Sequence, residues 1–369
     1  MSFMIVSTMR WLLPALLVLP LLSALAAAHA APLMQPQVQT VGRVVSDAGG
    51  WHATWPGVTL TTRFRGRAIG IVVDDPLSGY TVELDGTIRH PLALVANEHT
   101  VWLRGLSNGS HELRLTRRNE TTSAPGAIRG FLLENGTWLP SKAGASRQIE
   151  FIGDSFTAGL ANLSKKRSCN AATIRATSDA TATFGVRVAR HFHANWEINA
   201  MSGMGMVRNW NGNLPGENFR TYYPRLLQND AQSKADDANW HPQLIVIGLG
   251  INDFSTPLHE GEAWTRDTLA QQFKESYRSM LAELRQRYGQ VEIIATAVRV
   301  GAEDQQGPLV QQVVDSARAD GDLRVHYLEY EGLQLTACQW HPNLADHARM
   351  ARALIDKIDA VNPFPSTRP

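Results

Sequence analysis

The chain has 369 residues and nearly balanced charge, 35 basic against 34 acidic side chains. That balance excludes an electrostatic grip on nucleic acid or on an anionic membrane surface. Only two cysteines occur, Cys169 and Cys338, and no Cys/His cluster has metal-ligand spacing, so the sequence permits one bridge and points to no metal centre.

At the amino end Arg10 precedes an apolar run from Trp11 to Ala28, which closes on Ala28-His29-Ala30. A short apolar stretch ending at a small-x-small site reads as a secretory signal over residues 1–30, so a secreted or periplasmic protein is expected. The run also approaches the length of a membrane span, but the well-formed site favours cleavage. No later segment is long and apolar enough to span, so no membrane association is expected after the signal is removed.

Residues 31–145 are expected to form an antiparallel β-sandwich of jelly-roll type. The pattern alternates over short runs: Leu60–Phe64, Ile69–Val73, Tyr80–Leu84 and His111–Leu115. Asp85-Gly86, Asn108-Gly109 and Asn135-Gly136 punctuate them with pairs that tolerate the positive φ of tight hairpins. Repeated short strands at this spacing, without a helical period, suit a sandwich.

From residue 146 to 362 the grammar changes, and residues 363–369 are left as a tail. Strands are expected at Ile149–Ile152, Trp196–Ile198, Leu244–Leu249, Val291–Ala295 and Arg324–Leu328. Helical patterns lie between them. Leu269, Phe273, Tyr277, Leu281, Leu284 and Tyr288 share one face, and a last helix follows Pro342 with Leu344, Met350, Leu354 and Ile358. Strands alternating with helices predict a parallel sheet covered on both faces, with its chemistry at the carboxyl ends of the strands.

Four segments fall at such ends: Gly153-Asp154-Ser155, Ser202-Gly203-Met204-Gly205, Gly250-Ile251-Asn252-Asp253 and Trp340-His341-Pro342-Asn343. Each alone reads as turn or cap chemistry. Together they supply the parts of an acyl-transfer site: a nucleophile, a base titrating near neutrality, and donors for a developing oxyanion.

These segments resemble the four blocks of the SGNH hydrolases in order and spacing. The resemblance implies a flavodoxin-like three-layer α/β/α domain with Ser155 as nucleophile and His341 as base. It also implies an oxyanion hole formed by the Ser155 N–H, the Gly203 N–H and the Asn252 amide, with Gly205 as the second choice for the glycine. The β-sandwich running into Gln148–Ser155, together with Trp240-His241-Pro242 leading to Gly248–Phe254, is further similar to carbohydrate esterase family two. That likeness implies removal of acetyl groups from xylan, glucomannan or related plant-type glycans, without cofactor, with the acetylated polysaccharide as partner.

Two other readings compete. One is a glycan-binding protein that has lost activity, against which Ser155, Asn252 and His341 all stand intact. The other is a lipase or thioesterase, which needs a broad apolar groove, whereas Lys165, Lys166, Arg167 and Asn170 make the loop after the first block polar. Trp210, Trp264 and Trp340 fall in or near the site loops and are candidates to stack on sugar rings. Cys169 follows the nucleophile and Cys338 precedes the base by three residues, so a proposed site that joins those segments predicts a Cys169–Cys338 disulfide. In the superfamily an aspartate three residues before the histidine orients the ring, and in many members of the resembling family it lies two residues before. Cys338 and Gln339 occupy those positions here, so a Ser155–His341 dyad is expected, with the ring held by a backbone carbonyl or the Gln339 side-chain oxygen.

Overall fold

The computed structural model describes residues 37–89, 98–142, 144–235, 239–299 and 305–364. The expected signal over residues 1–30 and most of the tail lie outside the described residues.

The amino-terminal half is a stack of antiparallel strands. They are β1 (Gln39–Val41), β2 (Val45–Asp47), β3 (Gly50–Ala53), β4 (Thr59–Gly66), β5 (Ile69–Asp74), β6 (Tyr80–Leu84), β7 (Thr87–Ile88), β8 (His99–Leu103), β9 (Gly109–Arg117), β10 (Gly126–Leu133) and β11 (Thr137–Leu139). One sheet has the order β1-β4-β9-β6-β7, with β11 also on β4; the other runs β2-β3-β10-β5-β8. Alternation decides which side chains meet between them. On β9, His111, Leu113 and Leu115 turn inward while Glu112 and Arg114 stay partly exposed. Leu113 and Leu115 join Phe64, Ile71, Val82 and Ile128 in one apolar core, each large side chain contributing roughly 1.5–3 kcal/mol of burial. Asp85 and Gly86 both take positive φ, 52° and 75°, and close the β6–β7 hairpin as expected of that pair. Asn108-Gly109 behaves differently: Gly109 already opens β9, and the positive φ of that connection falls on Gly105.

The carboxy-terminal half alternates β12 (Gln148–Gly153), α1 (Ser155–Ala158), α2 (Ala171–Thr177), α3 (Phe184–His191), β13 (Asn195–Ala200), α4 (Phe219–Tyr222), β14 (Leu244–Gly248), α5 (Ile251–Phe254), α6 (Arg266–Tyr288), β15 (Glu292–Val298), α7 (Gln306–Ala319), β16 (Val325–Tyr330) and α8 (Leu344–Val361). All neighbours in this sheet are parallel, in the order β13-β12-β14-β15-β16. The first strand of the sheet therefore lies inside it, with its two successors on either side. The chain leaves β12 between crossovers that go opposite ways, the switch point where such sheets open a crevice. One apolar cluster packs α6 and α7 on one face, and another packs α3 and α8 on the other. The expected face of α6 is buried from Leu269 to Leu284. On α8, Met350, Leu354 and Ile358 are buried but Leu344 is 40% exposed, because it sits in the first turn and the core is reached there by Asp346 and His347.

Candidate active site

Gly153 ends β12, and its neighbours in register are Ala200 on β13 and Gly248 on β14. Ser155, Gly203 and Asn252 therefore lie two, three and four residues beyond three adjacent strand ends. A side chain at Gly153 would meet Thr157 Oγ1 at 2.1 Å, so glycine is what lets α1 fold directly back over the strand. Asp154 caps α1 by accepting the Phe156 N–H at 3.0 Å. Ser155 is 5% exposed and occupies the first helical position, where an N–H has no preceding carbonyl to take it.

His341 Nε2 stands 2.9 Å from Ser155 Oγ. Its Nδ1 is 2.8 Å from the Cys338 carbonyl oxygen. A carbonyl can only accept, so Nδ1 carries the proton and Nε2 is left as the acceptor for the Ser155 hydroxyl. The carboxylates that lie in or just after these segments are engaged elsewhere. Asp346 accepts the N–H groups of Gln334, Leu335 and Asn343, and Asp253 accepts those of Met206, Val207 and Arg208. Of the two neutral partners considered for the ring, the backbone holds it. Burial, with the Phe156 ring edge-on at 5.4 Å, pushes the His341 pKa below its ordinary 6.5, against the hydrogen bonds to the Cys338 and Gln339 backbone.

The glycine ambiguity is resolved by space and hydrogen bonding. Gly203 has φ 79°, nothing lies within 4 Å of where a side chain would stand, and no described residue accepts its N–H. Gly205 spends its N–H on Asn209 Oδ1 at 3.0 Å, and a Cβ there would meet the Arg208 carbonyl oxygen at 2.0 Å. Gly203 is thus the open donor, and Gly205 is a packing residue. Asn252, 5% exposed, donates through Nδ2 to Met204 O at 2.9 Å, which aims the amide and leaves its second N–H for a ligand.

His341 arrives on a loop that needs holding. Leu335, Gln339 and Trp340 all take positive φ, 51°, 54° and 58°, which costs about 1–3 kcal/mol each for non-glycine residues. Cys169 and Cys338 are joined by a disulfide with 5.6 Å between their α-carbons. Beside it the Gln339 N–H donates to Arg167 O at 2.7 Å, and the Arg167 guanidinium donates to the carbonyls of Leu335 and Gln334.

The tryptophans divide. Trp340 is 63% exposed beside His341, with the Arg167 guanidinium 5.8 Å from its ring. Trp210 is half exposed, and its backbone N–H holds Gly203 O at 2.9 Å. Trp264 instead lines a depression of about 490 Å³ with Asn211, His259 and Glu262, whose wall contains neither Ser155 nor His341.

Sequence reasoning missed Glu120. It lies on the loop after β9, and its carboxylate accepts the Ser202 N–H at 2.9 and 3.1 Å. Burial raises its pKa to about 7, that of Asp154 to about 7 and that of Asp253 to about 6. No local motif marks Glu120, since its partner is 82 residues away.

A serine–histidine pair at the switch point of a parallel sheet, with backbone and amide donors beside it, defines a hydrolase of the SGNH class. Residues 40–142 match the carbohydrate esterase 2 N-terminal family, and residues 149–354 match the GDSL-like lipase/acylhydrolase family. An acetylxylan esterase/glucomannan deacetylase of Cellvibrio japonicus (strain Ueda107) is 32% identical over 310 residues, 83% of this chain and 84% of that one. Two solved structures are similar along nearly their whole length. A carbohydrate esterase whose active site displays divergent catalytic and non-catalytic binding functions has TM-score 0.81 and 30% identity, covering 88% of this chain and 98% of that one. A family two carbohydrate esterase from Clostridium thermocellum, in complex with cellohexaose, has TM-score 0.80 and 26% identity, covering 89% and 100%. The chain belongs to the GDSL-like lipase/acylhydrolases and, within them, to carbohydrate esterase family two.

Proposed function

We propose that the protein is an exported esterase that removes O-acetyl groups from a plant-type polysaccharide through an acetyl-enzyme at Ser155. The observation that carries this reading is the 2.9 Å contact between His341 Nε2 and Ser155 Oγ, made with the ring tautomer already set by Cys338 O. His341 takes the Ser155 proton as Oγ attacks the acetyl carbonyl carbon. The tetrahedral oxyanion is met by the Ser155 and Gly203 N–H groups and the free Asn252 N–H. Collapse breaks the bond to the sugar oxygen, which leaves with the proton from His341. Water then attacks the acetyl-enzyme, gives its proton to His341, and releases acetate and Ser155. General-base action supplies about 10²–10⁴-fold and each oxyanion donor about 10²–10³-fold.

Support for a glycan substrate is the acetylxylan esterase/glucomannan deacetylase name of a relative and the cellohexaose bound to another. Trp340, exposed next to His341, and Trp210, half exposed on the loop bonded to Gly203 O, offer surfaces on which sugars stack. Support for export is the apolar run before Ala28-His29-Ala30 and the disulfide, since such bridges persist in oxidising compartments. Among the described residues no helix is long and apolar enough to cross a membrane.

Acetate release from acetylated xylan, glucomannan, xyloglucan and pectin tests reaction and substrate together, with Ser155→Ala as control. Release from at least one of the first three, lost in the variant, is expected. Glycan binding without acetate release from any of them would replace the reading by a binding one.

A further inference from the structure

We propose that Glu120, delivered by the β-sandwich, is a positioning residue of the oxyanion site, so that the sandwich forms part of the active centre. This rests on the esterase reading of Ser155.

The Gly203 N–H belongs to the Ser202–Gly203 peptide. That peptide is suspended between two anchors: the Ser202 N–H donates to both Glu120 carboxylate oxygens, and Gly203 O accepts the Trp210 N–H. Met201 N, bonded to Gly153 O, and Met204 O, bonded to Asn252, fix the turn on either side. Of these holds, only Glu120 comes from the amino-terminal half; Gly153, Trp210 and Asn252 all belong to the half that carries the parallel sheet. Gly203, at φ 79° with open space around it, has no side chain to steady its amide, and beyond these holds the turn is closed by the Met204 N–H donating to Met201 O at 3.3 Å.

The sandwich in turn grips Glu120 through the residues flanking it. Asn119 accepts the Gly79 N–H and donates to Leu77 O. The Thr121 N–H donates to Thr54 O, and its hydroxyl accepts from Arg117. Arg117 is fully buried, donates to Asn119 O and pairs with Asp75 at 3.1 Å, while Asp75 accepts the Tyr80 hydroxyl. Glu120 is therefore projected from a rigid sheet end rather than from a free loop. The same loop faces Ala158, Leu160 and Ser202 across a groove of about 430 Å³, alongside the nucleophile helix. An amide aimed at a developing charge acts only if it is already in place, and a displacement of about 1 Å costs on the order of 10²-fold.

Steady-state kinetics on an aryl acetate test the assignment. Glu120→Ala is expected to lower kcat about 10- to 100-fold with KM nearly unchanged and the circular dichroism spectrum intact. Glu120→Gln should recover most of kcat, because its amide oxygen accepts the same N–H. Glu120→Asp, one methylene short, should fall with the alanine variant and serves if that variant does not fold. The proposal is overturned if alanine and aspartate both keep kcat within about twofold, if the loss appears in KM alone, or if glutamine falls as far as alanine. A wild-type protein inactive on every acetyl ester would overturn the esterase reading and this inference with it, whereas an active wild type with indifferent Glu120 variants removes only this inference.

Discussion

Ser155 and His341 meet at 2.9 Å, yet they reach that contact by opposite routes. Ser155 follows directly on a buried central strand, and everything that fixes it is local: Gly153 admits the turn, Asp154 caps it, and Gly159 closes the helix with φ 79°. His341 comes on an irregular segment between β16 and α8 that carries three non-glycine residues at positive φ. Within the segment the Ala337 N–H donates to His341 O at 3.1 Å and the Asn343 amide to Thr336 Oγ1 at 2.6 Å, and further holds come from outside it. It is held by Asp346 from α8, by Arg167 and by the disulfide to Cys169, and the last two belong to the loop that follows the nucleophile. The lesson is that the end of a sheet strand presents Ser155, the proposed nucleophile, whereas His341, the proposed base, depends also on tertiary clamps, one of them covalent.

That contrast exposes itself to measurement. The largest effect tests whether the two residues act as a unit: His341→Ala should lose kcat by about 10⁴-fold or more, and adding Ser155→Ala should lower it little further. Independent, multiplicative losses would break the pairing.

A smaller effect separates the routes. Replacing Cys169 and Cys338 together by serine should lower unfolding stability by up to about 5 kcal/mol, the chain-entropy limit for a bridge across 169 positions. Because the clamp is at the base loop, esterase activity should be lost on heating before the far-ultraviolet circular dichroism signal. Coincident loss of both in the variant would mean that the bridge stabilises the molecule without favouring the His341 segment.

The smallest effect is on acidity. The base must be neutral, and burial lowers the His341 pKa, so its working form persists below the ordinary value of 6.5. The acid limb of kcat/KM should therefore have its midpoint below pH 6.5. Gln339→Asp places a carboxylate two residues before the ring, at a φ of 54° that aspartate tolerates; it favours imidazolium and should move that midpoint upward. An unmoved midpoint in a folded variant would show that the ring is insulated from that side chain by its bond to Cys338 O.

The legible part of the site was the part encoded in short segments. Ser155, Asn252 and His341 stand where a strand or loop runs into a helix, and the residues that shape those turns are their immediate neighbours, so a few letters carry both the chemistry and the backbone that presents it. The two-residue period up to residue 145 and the alternation of strand and helix beyond it determined the two architectures, because burial of one face imposes its repeat on the sequence wherever the partner lies. Gly203 and Gly205 were not separable by letters alone, since the distinction is whether an N–H is spent and whether a Cβ has room, and both are set by Asn209 and Arg208 in three dimensions. Trp210, Trp264 and Trp340 looked alike for the same reason, and only the packing of their loops sends Trp264 to a separate depression. The acceptor for His341 Nδ1 is a backbone carbonyl, which every residue possesses and no sequence pattern marks. Glu120 meets Ser202 only because the antiparallel and parallel halves of the chain pack together. What depended on local period and turn chemistry was determined by the sequence by itself; what depended on which distant surfaces touch was decided by the tertiary structure, because contacts between remote segments leave no repeat in either of them.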